Sequence, residues 1–303
     1  MAETTVGVVG LGRMGLPICA RLAGAGHRIV AGDARDALAG PARATGARWL
    51  GDAASVAGAC DVLVTVLPGA PELALAMADA LPRLARGSVW IDMTSASPDA
   101  LGELWRAARA SGVECLDAPL GGGPAAAAAG ALRLFVGGVD GALARTRPLL
   151  EALGTVEHVG GQGAGYTVKL LVNLLWFGQA VAVGEALLVG RRLGLDVDVL
   201  RGALGRSAAA SAFVERDLDA LLDGDYLPSF GLDRCCEELD ATVAMAAELG
   251  VPFEVSEAVA DAYRRALARY GAVDGELLAV ALLEERAGTL LRHPTPPHQE
   301  PTR

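Results

Sequence analysis

Apolar positions in the first half of the chain come in short runs, whereas those of the second half recur at helical spacing. Val6 to Val9, Ile29 to Gly32, Val62 to Leu67 and Val89 to Asp92 read as strands, with helical stretches such as Glu72 to Leu84 between them. Strands that alternate with helices imply crossover units over a parallel sheet. Two further candidate strands, Glu114 to Asp117 and Leu132 to Val136, flank a loop of glycine and alanine, and a last one lies near Val156 to Val159. After Gly163 the strand signals stop. Helical periodicity then predicts segments at 166–192, 196–205, 210–223, 232–249, 254–270 and 274–289. The expected architecture is an α/β Rossmann-type dinucleotide-binding domain over residues 1–162, followed by an all-α domain over 163–292 for substrate and subunit contacts. The tail 293–303, proline-rich and polar, has nothing to bury and is expected to be disordered.

The stretch Leu170 to Gly190 has about the length of a membrane span, but Asn173, Gln179 and Glu185 interrupt it. Hydrocarbon tolerates such groups badly, so the expectation is a buried helix of a soluble protein without membrane association.

Chemistry enters at Gly10, Leu11, Gly12, Arg13, Met14 and Gly15, which follow the first strand and open a helix. Gly10 suits a tight turn, Gly12 lets a pyrophosphate approach the backbone, and Gly15 lets helix and strand pack closely. The helix N-terminus then faces the anion. Asp33 closes the next strand, where a carboxylate accepts hydrogen bonds from ribose hydroxyls and repels a 2'-phosphate, which favours NAD. Ala34 and Arg35 complete that turn. An arginine there can also meet a phosphate, so NADP stays open.

Composition narrows the field further. Thirty-six acids against 26 bases leave a net charge of -10, the wrong sign for a nucleic-acid partner. Five cysteines, none in a C-x-x-C pair, suggest neither a disulfide framework nor a zinc site, and point to a reducing, cytoplasmic setting with no metal. The start of the chain shows no basic export region. Among the bases there is one lysine, Lys169, and the one asparagine of the chain, Asn173, follows four residues later. A chain that writes arginine wherever a generic cation serves has kept a lysine here. A lysine can give up its proton and an arginine cannot, so Lys169 is the candidate acid/base.

Four motifs in order resemble the β-hydroxyacid dehydrogenases, the group of 3-hydroxyisobutyrate dehydrogenase and tartronate semialdehyde reductase, distantly related to 6-phosphogluconate dehydrogenase. They are Gly10 to Pro17, Asp117-Ala-Pro-Leu-Gly-Gly-Gly123, Gly163-Ala-Gly-Tyr-Thr-Val-Lys169 leading to Asn173, and Gly224-Asp-Tyr-Leu-Pro-Ser-Phe-Gly-Leu232. The resemblance implies hydride transfer between a nicotinamide cofactor and a substrate beside the long helix, in an enzyme that works as a dimer or larger homo-oligomer. It implies that Lys169 is the catalytic lysine and Asn173 its helper, and that Leu67-Pro68 and Thr94-Ser95 are cofactor-contacting turns.

Residues four apart share a helix face, so Lys169 and Asn173 can converge on one substrate oxygen. As hydride reaches a carbonyl carbon, the lysine stabilises the developing oxyanion and donates a proton. Backbone N–H groups of Gly121, Gly122 and Gly123 are candidates for a substrate carboxylate. The chain departs from the family at two places: Gly121 stands where a serine is usual, and Glu237 where a second lysine is usual. Glu237, if it faces the substrate, favours a neutral or cationic one. These departures keep two rivals in view, an imine reductase on the same scaffold and a nucleotide-binding protein without turnover. His27 and His158 read as turn residues, and Cys235, Cys236, Trp176 and Phe177 as packing residues.

Overall fold

The computed structural model describes residues 4–292, so the tail expected to be disordered lies outside the described residues. The chain forms two compact units, divided between Leu170 and Leu171.

The first unit is built on strands β1 (Thr5–Val9), β2 (Arg28–Gly32), β3 (Arg48–Gly51), β4 (Val62–Thr65), β5 (Val89–Asp92), β6 (Glu114–Asp117), β7 (Leu120–Gly121), β8 (Leu132–Gly138) and β9 (Gly154–Gly160). Its helices are α1 (Gly15–Gly24), α2 (Ala39–Ala44), α3 (Ala53–Ala57), α4 (Ala70–Ala80), α5 (Pro98–Ala110), α6 (Gly123–Ala129) and α7 (Asp140–Glu151). The sheet runs β3-β2-β1-β4-β5-β6-β8-β7, with β9 paired to β8. The apolar runs are continuous because both faces are covered: Val62, Val64, Val89 and Ile91 enter one core, while Leu63 and Trp90, one residue out of phase, enter the other. Pairing from β3 to β6 is parallel. Beyond β6 the expected parallel order gives way, since β8 runs antiparallel to both β6 and β7. β3, on the edge and only half-buried, and β7, two residues long, carry too little apolar pattern to be read from sequence.

Helix α8 (Ala164–Arg192) starts in the first unit and continues into the second. The second unit adds α9 (Val197–Gly205), α10 (Leu218–Leu222), α11 (Leu232–Glu248), α12 (Glu254–Tyr270) and α13 (Leu278–Ala287). Where one helix was expected over 210–223, a π-helical stretch, Phe213–Asp217, precedes α10. Phe177, Leu232, Cys235, Leu239 and Tyr263 form one core of this unit, and Leu187, Phe213, Leu218 and Val280 another. α8 departs from the buried helix expected. By length and composition it could cross a membrane, and 39% of its most apolar window is buried. Leu175 and Val189 are 64% and 62% exposed, so the helix presents an apolar stripe.

Candidate active site

The glycine turn after β1 is shaped by contacts that admit no side chain at two of its three glycines. Gly10 has φ +91°, and a Cβ there would lie 2.3 Å from the carbonyl oxygen of Val66. A Cβ on Gly15 would lie 1.8 Å from the carbonyl oxygen of Gly10. Gly12 is different: a Cβ there would meet nothing nearer than the Arg35 guanidinium at 3.8 Å. Packing therefore demands glycine at 10 and 15 and leaves open space at 12. That is the division of labour a pyrophosphate at the start of α1 requires. The residues present fit a dinucleotide.

Asp33 stands one residue past β2 with a side chain 7% exposed. Its Oδ2 accepts from the backbone N–H of Leu11 at 2.7 Å and from Arg35 Nη2 at 3.0 Å, and its Oδ1 from Arg35 N and Nε, both at 2.9 Å. Burial pushes its carboxyl up, but the hydrogen bonds from Arg35 and Leu11 outweigh that and hold it below the usual carboxylate range. Leu11 is fully buried and its N–H is spent on Asp33, so it shapes the turn rather than facing a ligand. Met14 packs against the core, whereas Arg13 and Ala34 are exposed.

The two other turns expected to contact the cofactor are tied together. Thr94 Oγ1 accepts from the backbone N–H of Leu67 at 3.2 Å and donates to Asp92 Oδ1 at 2.7 Å. Thr94 is buried, Leu67 and Ser95 are half-buried and Pro68 is exposed. Gly10, Asp33, Leu67 and Thr94 all follow the carboxyl ends of neighbouring parallel strands, where open α/β sheets bind their ligands.

The start of α8 is held by a residue whose role the sequence reading left unassigned. Asp117, fully buried at the end of β6, accepts from Gly163 N at 2.7 Å on Oδ1 and from Tyr166 N at 3.1 Å on Oδ2. A carboxylate on the first turn of a helix satisfies orphan N–H groups and complements the helix dipole. Gly165 makes the approach possible, since a Cβ there would lie 2.7 Å from the Asp117 carbonyl oxygen. Burial still pushes the Asp117 carboxyl up.

One turn further along α8, Lys169 is half-buried and Asn173 follows on the same face. Asn173 Nδ2 donates to Glu238 Oε2 at 2.6 Å. A carboxylate accepts and does not donate, so this bond fixes which way the amide points. Glu238 is 7% exposed, and its Oε1 has no hydrogen-bond partner. Glu237, the acid singled out from the sequence, is placed elsewhere: its side chain is 61% exposed and pairs with Arg234 at 2.8 Å. α11 turns Glu238 rather than Glu237 inward because Cys235, Glu238, Leu239 and Thr242 form its buried stripe. In the glycine loop, Gly121 pairs with Arg133 across β7 and β8, and Gly122, φ +116°, precedes α6. A Cβ on Gly121 would make ordinary contact at 3.5 Å, so the fold does not demand glycine there.

Residues 5–162 match the NAD binding domain of 6-phosphogluconate dehydrogenase, and residues 163–283 the NAD-binding segment of NADP-dependent 3-hydroxyisobutyrate dehydrogenase. A 2-(hydroxymethyl)glutarate dehydrogenase of Eubacterium barkeri is 30% identical over 83% of this chain and 85% of its own. The chain belongs to the β-hydroxyacid dehydrogenase family. An NAD-dependent L-serine dehydrogenase of Pseudomonas aeruginosa is 32% identical over 69% of this chain and 72% of its own. The structure of Mycobacterium tuberculosis 3-hydroxyisobutyrate dehydrogenase with L-serine superposes with a TM-score of 0.85 at 27% identity, covering 92% of this chain and 99% of that one.

As a β-hydroxyacid dehydrogenase the protein is an oxidoreductase that uses NAD, with NADP possible. Sequence reasoning missed Glu238. The available signal was the second acid of the Glu237-Glu238 pair. It also left Asp92 and Tyr166 without a role, although Tyr166 lies inside the motif that ends in Lys169. His158 and the cysteines take structural places. His158 lies within β9, rather than at a turn, with Nε2 at 3.0 Å from the Gly138 carbonyl oxygen. All five cysteines are buried and free.

Proposed function

We propose that the protein interconverts a small β-hydroxy acid and its aldehyde or ketone, with Lys169 as acid/base and Asn173 as the group that orients the substrate hydroxyl. The observation that carries this reading is the turn of α8 on which Asn173 is oriented by Glu238 and the chain's one lysine stands four residues before it. When bound, NAD or NADP accepts or supplies the hydride. The glycine turn holds its pyrophosphate, Asp33 and Arg35 meet the adenosine ribose, and the Leu67-Pro68 and Thr94-Ser95 turns contact the rest. In the reducing direction the Lys169 ammonium stabilises the developing alkoxide and protonates it; in oxidation the neutral amine takes that proton. Gly121, Gly122 and Gly123 offer backbone N–H groups to the substrate carboxylate.

Two further parts of the reading concern assembly and location. The exposed apolar stripe of α8 is assigned to a subunit interface, which makes the enzyme a homodimer or larger. A cytoplasmic setting is supported by five unpaired cysteines. The test is a panel of β-hydroxy acids with NAD and with NADP, followed by nicotinamide absorbance, beside a panel of cyclic imines with NADH and NADPH. Hydroxy-acid turnover that Lys169→Ala abolishes supports the reading. Imine turnover that survives Lys169→Ala overturns it.

A further inference from the structure

Three buried groups of the first unit are joined by hydrogen bonds that no step of the reaction uses. Asp92, at the end of β5 and fully buried, accepts on Oδ1 from Thr65 Oγ1 at 2.6 Å, Thr94 N at 3.1 Å and Thr94 Oγ1 at 2.7 Å. Its Oδ2 accepts from the phenolic hydroxyl of Tyr166. Thr65 Oγ1 in turn accepts from Trp90 Nε1 at 2.9 Å, and the Tyr166 ring stacks on Trp105 with centroids 5.9 Å apart. The links run in sequence from Leu67 N to Thr94, from Thr94 to Asp92, from Asp92 to Tyr166, and from the Tyr166 backbone to Asp117. One end is a turn assigned to the cofactor. The other is the helix start three residues before Lys169.

A hydrophobic core needs none of this. A carboxyl on the face of the sheet that carries Trp90, beside the stacked Trp105–Tyr166 pair, is costly unless every lone pair is met, and an apolar side chain of similar volume would avoid the cost altogether. What the polar chain adds is direction. Hydrogen bonds fix distance and angle between elements where apolar contact tolerates sliding, and a fully satisfied buried network rigidifies what it joins. The elements joined are the ends of β4 and β5 and the first turn of α8, which together place the lysine and the turns assigned to the cofactor.

We propose that Thr94, Asp92 and Tyr166 are positioning residues that lock the cofactor turns and the Lys169 helix start into one rigid unit, so that a break at either end loosens both. The proposal rests on the reading of Lys169 as acid/base, but part of its test does not. Lys169 is the only lysine, so its modification by an amine reagent can be followed directly by mass spectrometry in protein without substrate.

The variants are Tyr166→Phe, which keeps the stacked ring and removes only the hydroxyl, Thr94→Val, their combination, and Thr65→Ser. The serine keeps the hydroxyl that donates to Asp92 and accepts from Trp90, so it leaves every link in place. The expected result has four parts. Tyr166→Phe weakens NADH binding, read by fluorescence titration, and lowers kcat, each about tenfold, with substrate KM changed less than threefold. Both single variants speed Lys169 labelling about fivefold or more. The double variant costs little more than the worse single one. Thr65→Ser stays within about threefold of wild type in all measures.

A Tyr166→Phe protein with a lower Tm but wild-type NADH affinity and labelling overturns the proposal, as do additive losses in the double variant. Should Tyr166→Phe not fold, Thr94→Val against Thr65→Ser carries the comparison, and equal labelling of Lys169 in these two overturns it. Absence of hydroxy-acid turnover by the wild-type protein refutes the functional reading instead, and leaves NADH affinity and labelling to decide the positioning chain.

Discussion

Replacing Gly12 by alanine separates binding from folding in the dinucleotide turn. Gly12 is outside the left-handed region, and a methyl there meets nothing closer than 3.8 Å. Folding therefore gains the reduced freedom of the unfolded chain, about 0.4–1 kcal/mol, which raises Tm by about 1–4 °C in a protein of this size. The same methyl occupies the space through which a phosphate oxygen reaches the backbone. Loss of one charge-assisted hydrogen bond is worth about 1.5–3 kcal/mol, so the Kd for NADH rises about 10- to 150-fold. Gly15→Ala behaves oppositely. Its Cβ would fall 1.8 Å from the Gly10 oxygen, a clash only backbone movement can relieve, and the variant loses at least about 3 kcal/mol of stability. Thermal melts with and without NADH, beside a fluorescence titration, read both quantities. A Gly12→Ala protein that binds NADH as tightly as wild type refutes the placement of the pyrophosphate.

Lys169→Arg keeps the charge but cannot release a proton, and is expected to lower kcat about 10²- to 10⁴-fold in steady-state assays while the fold melts normally. Glu238→Gln exchanges the buried acceptor of Asn173 for an amide that can face either way; kcat falls about 3- to 30-fold, and an unchanged kcat would remove Glu238 from the site. Arg35→Ala should raise the Kd for NADPH more than that for NADH, measured by the same titration. It also frees Asp33, whose carboxyl Arg35 and Leu11 hold low. A depressed carboxyl stabilises above its unfolded pKa, near 3.9, and that contribution is lost as pH falls through the folded value. The wild-type advantage in Tm over Arg35→Ala is thus present at neutral pH and vanishes in acid. Burial pushes the thiols of Cys60 and Cys115 up to about 12 and that of Cys236 to about 11, so a thiol reagent at pH 8 should titrate fewer than one cysteine in native protein and five after denaturation.

Local chemistry made much of this protein legible without its structure. Strand identity followed from apolar runs such as Val62 to Leu67, because a parallel sheet covered on both faces needs no alternation. The glycine turn and Asp33 were legible because a dinucleotide constrains residue types a short distance apart, and Lys169 stood out because arginine holds every other basic position. Tertiary structure alone decided what depends on side chains far apart in sequence. Helical phase on α11 put Glu238, not Glu237, beside Asn173, a one-residue difference of about 100° that spacing to a distant partner cannot reveal. It was likewise the meeting of β5, β6 and the start of α8 that turned Asp92, Asp117 and Tyr166 into a single network, since hydrogen bonds across 49 to 74 residues leave no periodic trace along the chain.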